Sequence, residues 1–127
     1  MLTWLWAKRA LAAIVVVLVV YPLIGRLRGK TEVVATSADS EVNRSLALYQ
    51  AGKFEESAAA ARSAIRLKPG FAIAWNNLAV AELGLHKYDE AIQSAAESIR
   101  LQPDFQLAKN NLVWIMQEKA KTQAPLH

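Results

Sequence analysis

The 127-residue chain contains no cysteine. That absence excludes a disulfide staple, a thiolate zinc site and a cysteine nucleophile. Only two histidines are present, His86 in a turn between helical stretches and His127 at the last position. No zinc spacing, phosphate-binding glycine loop or Ser-His-Asp order is visible. Glu55, Glu56, Asp89 and Glu90 cluster in sequence, but they fall in first turns of helical stretches, where the helix dipole favours negative charge. No catalytic residue, metal site or cofactor is expected, and the chain does not read as an enzyme.

Acidic residues are missing from the first thirty positions, which carry five cations: Lys8, Arg9, Arg26, Arg28 and Lys30. With a net charge of +4 overall, the remainder sums to −1. A nucleic-acid binder concentrates its cations on the folded domain. Here they flank an apolar run, as interfacial anchors do, so no nucleic-acid partner is expected.

Charge is wholly absent from Ala10 to Gly25, ALAAIVVVLVVYPLIG. As a helix this run reaches about 24 Å, short of a hydrocarbon core of roughly 30 Å. Snorkelling of Lys8 and Arg9 extends the span toward Leu5. Trp4, Trp6 and Tyr21 sit near its ends, where amphipathic rings favour the headgroup zone. Pro22 is tolerated in such helices. A cleaved signal peptide is the competing reading. Arg26, Arg28 and Lys30 follow at once, and the small-residue candidate Ala35-Thr36-Ser37 lies beyond them, which favours an uncleaved anchor over residues 1–30. Cations before and after the span nearly balance, leaving orientation undetermined by the positive-inside rule. The short cationic n-region leans toward a single-pass protein of a bacterial inner membrane, with the folded part outside the cytoplasm. Thr31 to Ser40, TEVVATSADS, has no helical period and reads as a linker, with the folded domain taken as 40–127.

The chain beyond Ser40 is self-similar. Ile65-Arg66-Leu67-Lys68-Pro69-Gly70-Phe71 recurs 34 residues on as Ile99-Arg100-Leu101-Gln102-Pro103-Asp104-Phe105. Lys53-Phe54-Glu55-Glu56 recurs at the same offset as Lys87-Tyr88-Asp89-Glu90. Asn43 to Ala51, Glu55 to Leu67, Ala72 to Leu85 and Asp89 to Leu101 read as amphipathic helices. Ala58, Ala61, Ala64, Ala79, Ala91 and Ala95 suit close helix approach. Gly52 suits a turn needing positive φ, and Pro69 and Pro103 separate one helix from the next. A closing helix is expected from Gln106 to about Lys119, docked through Leu112, Ile115 and Met116.

A 34-residue helical period resembles the tetratricopeptide repeat family. Trp75, Leu78, Ala79, Tyr88, Ala91, Ala95 and Pro103 fall at family positions in the second copy, which departs at Glu82 and Ser98. The first copy keeps Phe54, Ala61, Ala64 and Pro69, with Glu41 and Arg44 where apolar residues are usual. The resemblance implies an all-α fold, a short solenoid of about two and a half repeats: residues 38–71, 72–105 and a closing helix over 106–120. It also implies that the first helix of each repeat lines a concave groove.

Two rows then stand out on those first helices. Asn43, Asn77 and Asn111 repeat at 34 residues, as do Leu46, Val80 and Trp114. Residues three apart share a face, so an amide row able to hold a peptide backbone runs beside an apolar row able to accept side chains. Asparagine at these places can equally brace neighbouring helices, and Asn76 and Asn110 are weaker candidates. Trp114 is read as a groove anchor, against the alternative of a core residue. Some members of the family clamp terminal carboxylates with lysine and arginine. Val42, Asn76, Leu107, Asn110 and Asn111 stand at those places, so an acidic C-terminal chaperone tail is not expected. The implied function is a membrane-anchored scaffold or adaptor that contacts lipid through its N-terminal helix and recruits a protein or extended peptide in its groove. The alternative is a structural subunit buried in a larger membrane complex, recognising no free peptide.

Overall fold

The computed structural model describes residues 36–125. The expected anchor and the first half of the linker lie outside them. Five helices run in order: α1 (Ala38–Gln50), α2 (Phe54–Leu67), α3 (Ala72–Gly84), α4 (Tyr88–Leu101) and α5 (Gln106–Gln123). None of these is long and apolar enough to cross a membrane.

Helix α1 begins at Ala38, ahead of the amphipathic stretch read from Asn43 and two residues before Ser40, so the last residues of the expected linker are helical. Ser37 is the cause. Its hydroxyl accepts from the Ser40 amide at 3.1 Å, while the Ser40 hydroxyl donates to the Ser37 carbonyl at 3.0 Å. Asp39 and Glu41 add negative charge to the first turn, where the dipole favours it. Both α1 and α3 end in one motif. The Gly52 amide donates to Tyr49 O and that of Lys53 to Leu48 O, each at 2.9 Å. His86 and Lys87 repeat these bonds to Leu83 O and Glu82 O, again at 2.9 Å. The geometry requires a left-handed residue after the cap: Gly52 has φ of 74° and His86 has φ of 59°.

Each helix packs on the next along the chain. In addition α1 touches α3 and α3 touches α5, whereas α2 and α4 do not touch each other. The first helices of the repeats therefore form an inner layer and the second helices an outer one. Between them the core is built mainly of small side chains. Ala58, Ala61, Ala64, Ala79, Ala91, Ala95 and Ala108 are fully buried, and Ile115 is the largest side chain so enclosed. Met116, expected in the docking stripe of α5, is instead 54% exposed. The stripe is Ala108, Leu112 and Ile115, with Leu112 and Ile115 packed into the cluster of Ala79, Leu83, Ala91 and Ala95. Residue 116 falls about 100° round the helix from Ile115, and that step carries it off the contact.

Several buried polar contacts lie where the two copies differ. Ser57 Oγ donates to Ser45 O at 2.8 Å, and Ser45 Oγ to Ser57 O at 3.0 Å. Thirty-four residues on, the same places are Ala79 and Ala91. Ser98 Oγ donates to Ala72 O at 2.7 Å. Glu41, buried, receives the Arg44 guanidinium at 2.7 Å. Among the described residues, every buried side-chain N and O atom has a partner.

Candidate functional site

The inner layer does not present the three asparagines as one exposed row. Asn43 is exposed. Asn77 is only 7% exposed and donates its side-chain amide to Val42 O at 3.2 Å, tying α3 to α1. Asn111 donates to Asn76 Oδ1 at 2.8 Å, tying α5 to α3. Asn110 lies at the surface, accepting from Gln106 at 2.9 Å. The apolar row is more open: Leu46 is 46% and Trp114 41% exposed, with Val80 half-buried between them.

Trp114 opens onto a pocket of about 350 Å³, lined by Tyr49, Phe54, Leu83, Gly84, His86, Tyr88, Trp114 and Glu118. Tyr49 comes from the end of α1, Leu83 and Gly84 from the end of α3, and Trp114 and Glu118 from α5. It is thus the end of the inner layer nearest the turns within repeats. The rings are set at angles: Tyr49 and Phe54 have centroids 5.5 Å apart, and His86 and Tyr88 6.0 Å apart. His86 Nδ1 lies 3.0 Å from the Tyr88 hydroxyl. Gly84 makes room for this arrangement, because a Cβ there would come within 2.5 Å of the Phe54 ring. Glu118 Oε1 receives Lys121 Nζ at 2.6 Å. That hydrogen bond, more than the opposing desolvation, holds the Glu118 carboxyl below the usual range, with the Trp114 indole adding to it.

Of these residues the repeat pattern singles out only Trp114 as a site residue. Tyr49 could have been found, since it lies three after Leu46 on the same face, as could Glu118, four after Trp114. Gly84 and His86 carry no such signal, because their part depends on how two turns meet.

A larger cleft, about 630 Å³, lies on the outer side where α2 and α4 part over α3. Its floor holds Glu82, 5% exposed. Ser94 Oγ donates to Glu82 Oε2 at 2.7 Å and Arg62 to Oε1 at 3.3 Å. Burial pushes the Glu82 carboxyl up, and the bonds from Ser94 and Arg62 pull against it. Both carboxylate oxygens are engaged within the fold, so this glutamate joins α2, α3 and α4. Among the described residues no group of three or more His, Asp or Glu side chains could hold a metal ion.

Residues 42–104 match a family model described as tetratricopeptide repeat. No curated protein matches the chain. Solved structures do. The first TPR of Spaghetti (RPAP3) bound to HSP90 peptide SRMEEVD is 25% identical with a TM-score of 0.62, the match covering 65% of this chain and 66% of that one. The second TPR domain of human RPAP3 in complex with HSP70 peptide SGPTIEEVD is 27% identical with a TM-score of 0.62, covering 65% and 68%. The second TPR of Spaghetti, also bound to SRMEEVD, is 25% identical with a TM-score of 0.62, covering 66% and 78%. These neighbours bind peptides, and the peptides end in the acidic EEVD that the sequence reading does not expect here.

Proposed function

We propose that the chain, whose residues 42–104 match a family model described as tetratricopeptide repeat, is a non-enzymatic adaptor that binds a protein partner on the inner face of its repeats. The observation that carries this is Trp114, a large ring left 41% exposed above an aromatic-walled pocket. Tryptophan is enriched among binding hot spots, where truncation often costs about 2 kcal/mol or more. Leu46 and Val80 continue the apolar surface, while Asn43 and the part-exposed Asn111 offer polar contacts beside it. Asn77 serves the fold. The peptide-bound neighbours support an extended ligand. Helix α3 carries no basic residue, and Val42, Leu107 and Asn111 stand where a carboxylate clamp needs cations, which argues against an acidic tail as that ligand.

The anchor is a second part of the proposal and rests on the sequence alone: the uncharged run Ala10 to Gly25 between cations ties the repeats to a membrane, in our reading a bacterial inner membrane with the repeats outside the cytoplasm. After carbonate washing the full-length chain should stay in the membrane pellet. Recovery in the soluble fraction would remove the anchor from the account.

Affinity purification of the full chain, beside Trp114→Ala at equal expression, tests the adaptor. The variant should keep its helicity and lose the partner; a partner retained by the variant contradicts the reading. A structural-subunit reading has one observation in its favour, the exposed Leu107, Val113 and Met116 on α5. Mild detergent separates the two: an adaptor comes out as a small species, a subunit as a large stable assembly.

A further inference from the structure

Resting on that adaptor reading, we propose that the pocket beneath Trp114 accepts an arginine side chain of the partner. The pocket walls are aromatic, with Tyr49, Phe54, Tyr88 and Trp114 drawn from four helices. A cation over such faces is attracted by the ring quadrupoles, and tryptophan is the strongest of them. Glu118 is the acidic group in the lining, and neither lysine nor arginine is among the residues that form it. The pocket therefore offers apolar faces and one negative charge, which is complementary to a delocalised cation.

Arginine fits better than lysine. Its guanidinium is planar, weakly hydrated and able to stack while its fork meets a carboxylate. At about 350 Å³ the space is near the lower end of ligand pockets, which run about 300–1,000 Å³. It suits one side chain of a longer ligand. Lys121 holds Glu118 through Oε1 only, one helical turn away and largely exposed. An exposed pair of that kind is weak and yields to a guanidinium enclosed by rings. The outer cleft differs: Arg62 and Arg66 stand in its lining beside Glu90 and Glu97, Trp75 is its one ring, and its buried Glu82 is already engaged by Arg62 and Ser94.

The test uses the full chain with its tryptophan indoles labelled with nitrogen-15, the Trp114 signal being assigned by its loss in Trp114→Phe. Four probes are titrated to millimolar concentration: acetyl-Gly-Ser-Arg-Ser-Gly-amide, the same peptide with citrulline or leucine for arginine, and SGPTIEEVD. The arginine peptide should move the Trp114 signal saturably. Citrulline keeps the shape and loses the charge, so its peptide should bind about two- to fivefold more weakly. Glu118→Gln, a rim substitution, should weaken the arginine peptide by a similar factor and leave the citrulline peptide unchanged. Equal binding of the arginine and citrulline peptides, or stronger binding of the leucine peptide or of SGPTIEEVD, overturns the arginine assignment while leaving the groove in use. No shift with any probe, in a chain whose Trp114→Ala variant still loses its partner, overturns the assignment alone. Partner retention by Trp114→Ala contradicts the adaptor reading itself, so the two failures are told apart.

Discussion

Single residues show how two copies of one repeat can differ in chemistry at equal places. Gly52 and His86 occupy the same left-handed position, but only the glycine does so without steric cost. A Cβ on Gly52 would meet nothing within 4 Å. Gly52→Ala should therefore lose about 1–2 kcal/mol through the backbone alone, read from urea midpoints, and an unchanged midpoint would deny the positive φ. Asn77 has the opposite character, because its value lies in a bond already made. Asn77→Ala removes the bond that ties α3 to the Val42 carbonyl, which keeps its own partner within α1, and should cost about 1 kcal/mol. Asn43→Ala, at an exposed site, should stay within about 0.5 kcal/mol. Equal losses at the two positions would mean that Asn77 is not the brace seen here. Glu82 gives a pH signature. Its folded carboxyl sits above the ordinary value of 4.5, chiefly through burial. The folded state then holds its proton more tightly than the unfolded one, so stability rises as pH falls from above the folded value toward 4.5. In Glu82→Gln this part of the pH dependence should vanish. A variant that tracks the parent across that window would show that the charge is not the cause.

At the scale of elements, periodicity made most of the fold legible in the sequence. The 34-residue offset placed α2, α3 and α4 within a residue or so of their observed ends, because proline and turn signals recur with the apolar pattern. The start of α1 was legible only to within a few residues, since Ser37 caps it within a stretch whose small polar residues look like linker. On α5 the apolar run Leu112 to Met116 does not say which members face inward; that is decided by where Ala79, Leu83 and Ala95 leave space for Ile115. The alanines were legible, and their consequence is steep. Ala95 is fully buried between helices, so Ala95→Leu should overpack and cost about 1–3 kcal/mol. Thermal melting decides it, and a midpoint equal to the parent's would mean that the helices can part there freely.

For the whole molecule, the stack has two layers with different tasks. The outer layer is joined through Glu82 and leaves its larger cleft with polar groups already satisfied. The inner layer keeps tryptophan, leucine and asparagine partly exposed and gathers aromatic rings from helices that are distant in sequence. That gathering is why the site was only half legible. Rows at one repeat offset identified Leu46, Val80 and Trp114, whereas the pocket joins unequal positions, Tyr49 with Gly84 with Glu118, that no single offset connects. In a solenoid each repeat rests on its neighbours; the pocket lies along the edge of the stack where the turns within repeats meet, and among the described residues Leu107, Val113 and Met116 of α5 are exposed as well.

The central claim is that a partner covers Trp114. Its most direct test is iodide quenching of Trp114 fluorescence in the full chain, with Trp4, Trp6 and Trp75 replaced by phenylalanine, compared with and without the partner recovered by affinity purification. The account predicts red-shifted, readily quenched emission from the free chain, and a blue shift with protection from iodide in the complex. Blue, unquenchable emission from the free chain, or quenching that the partner leaves unchanged, would contradict it.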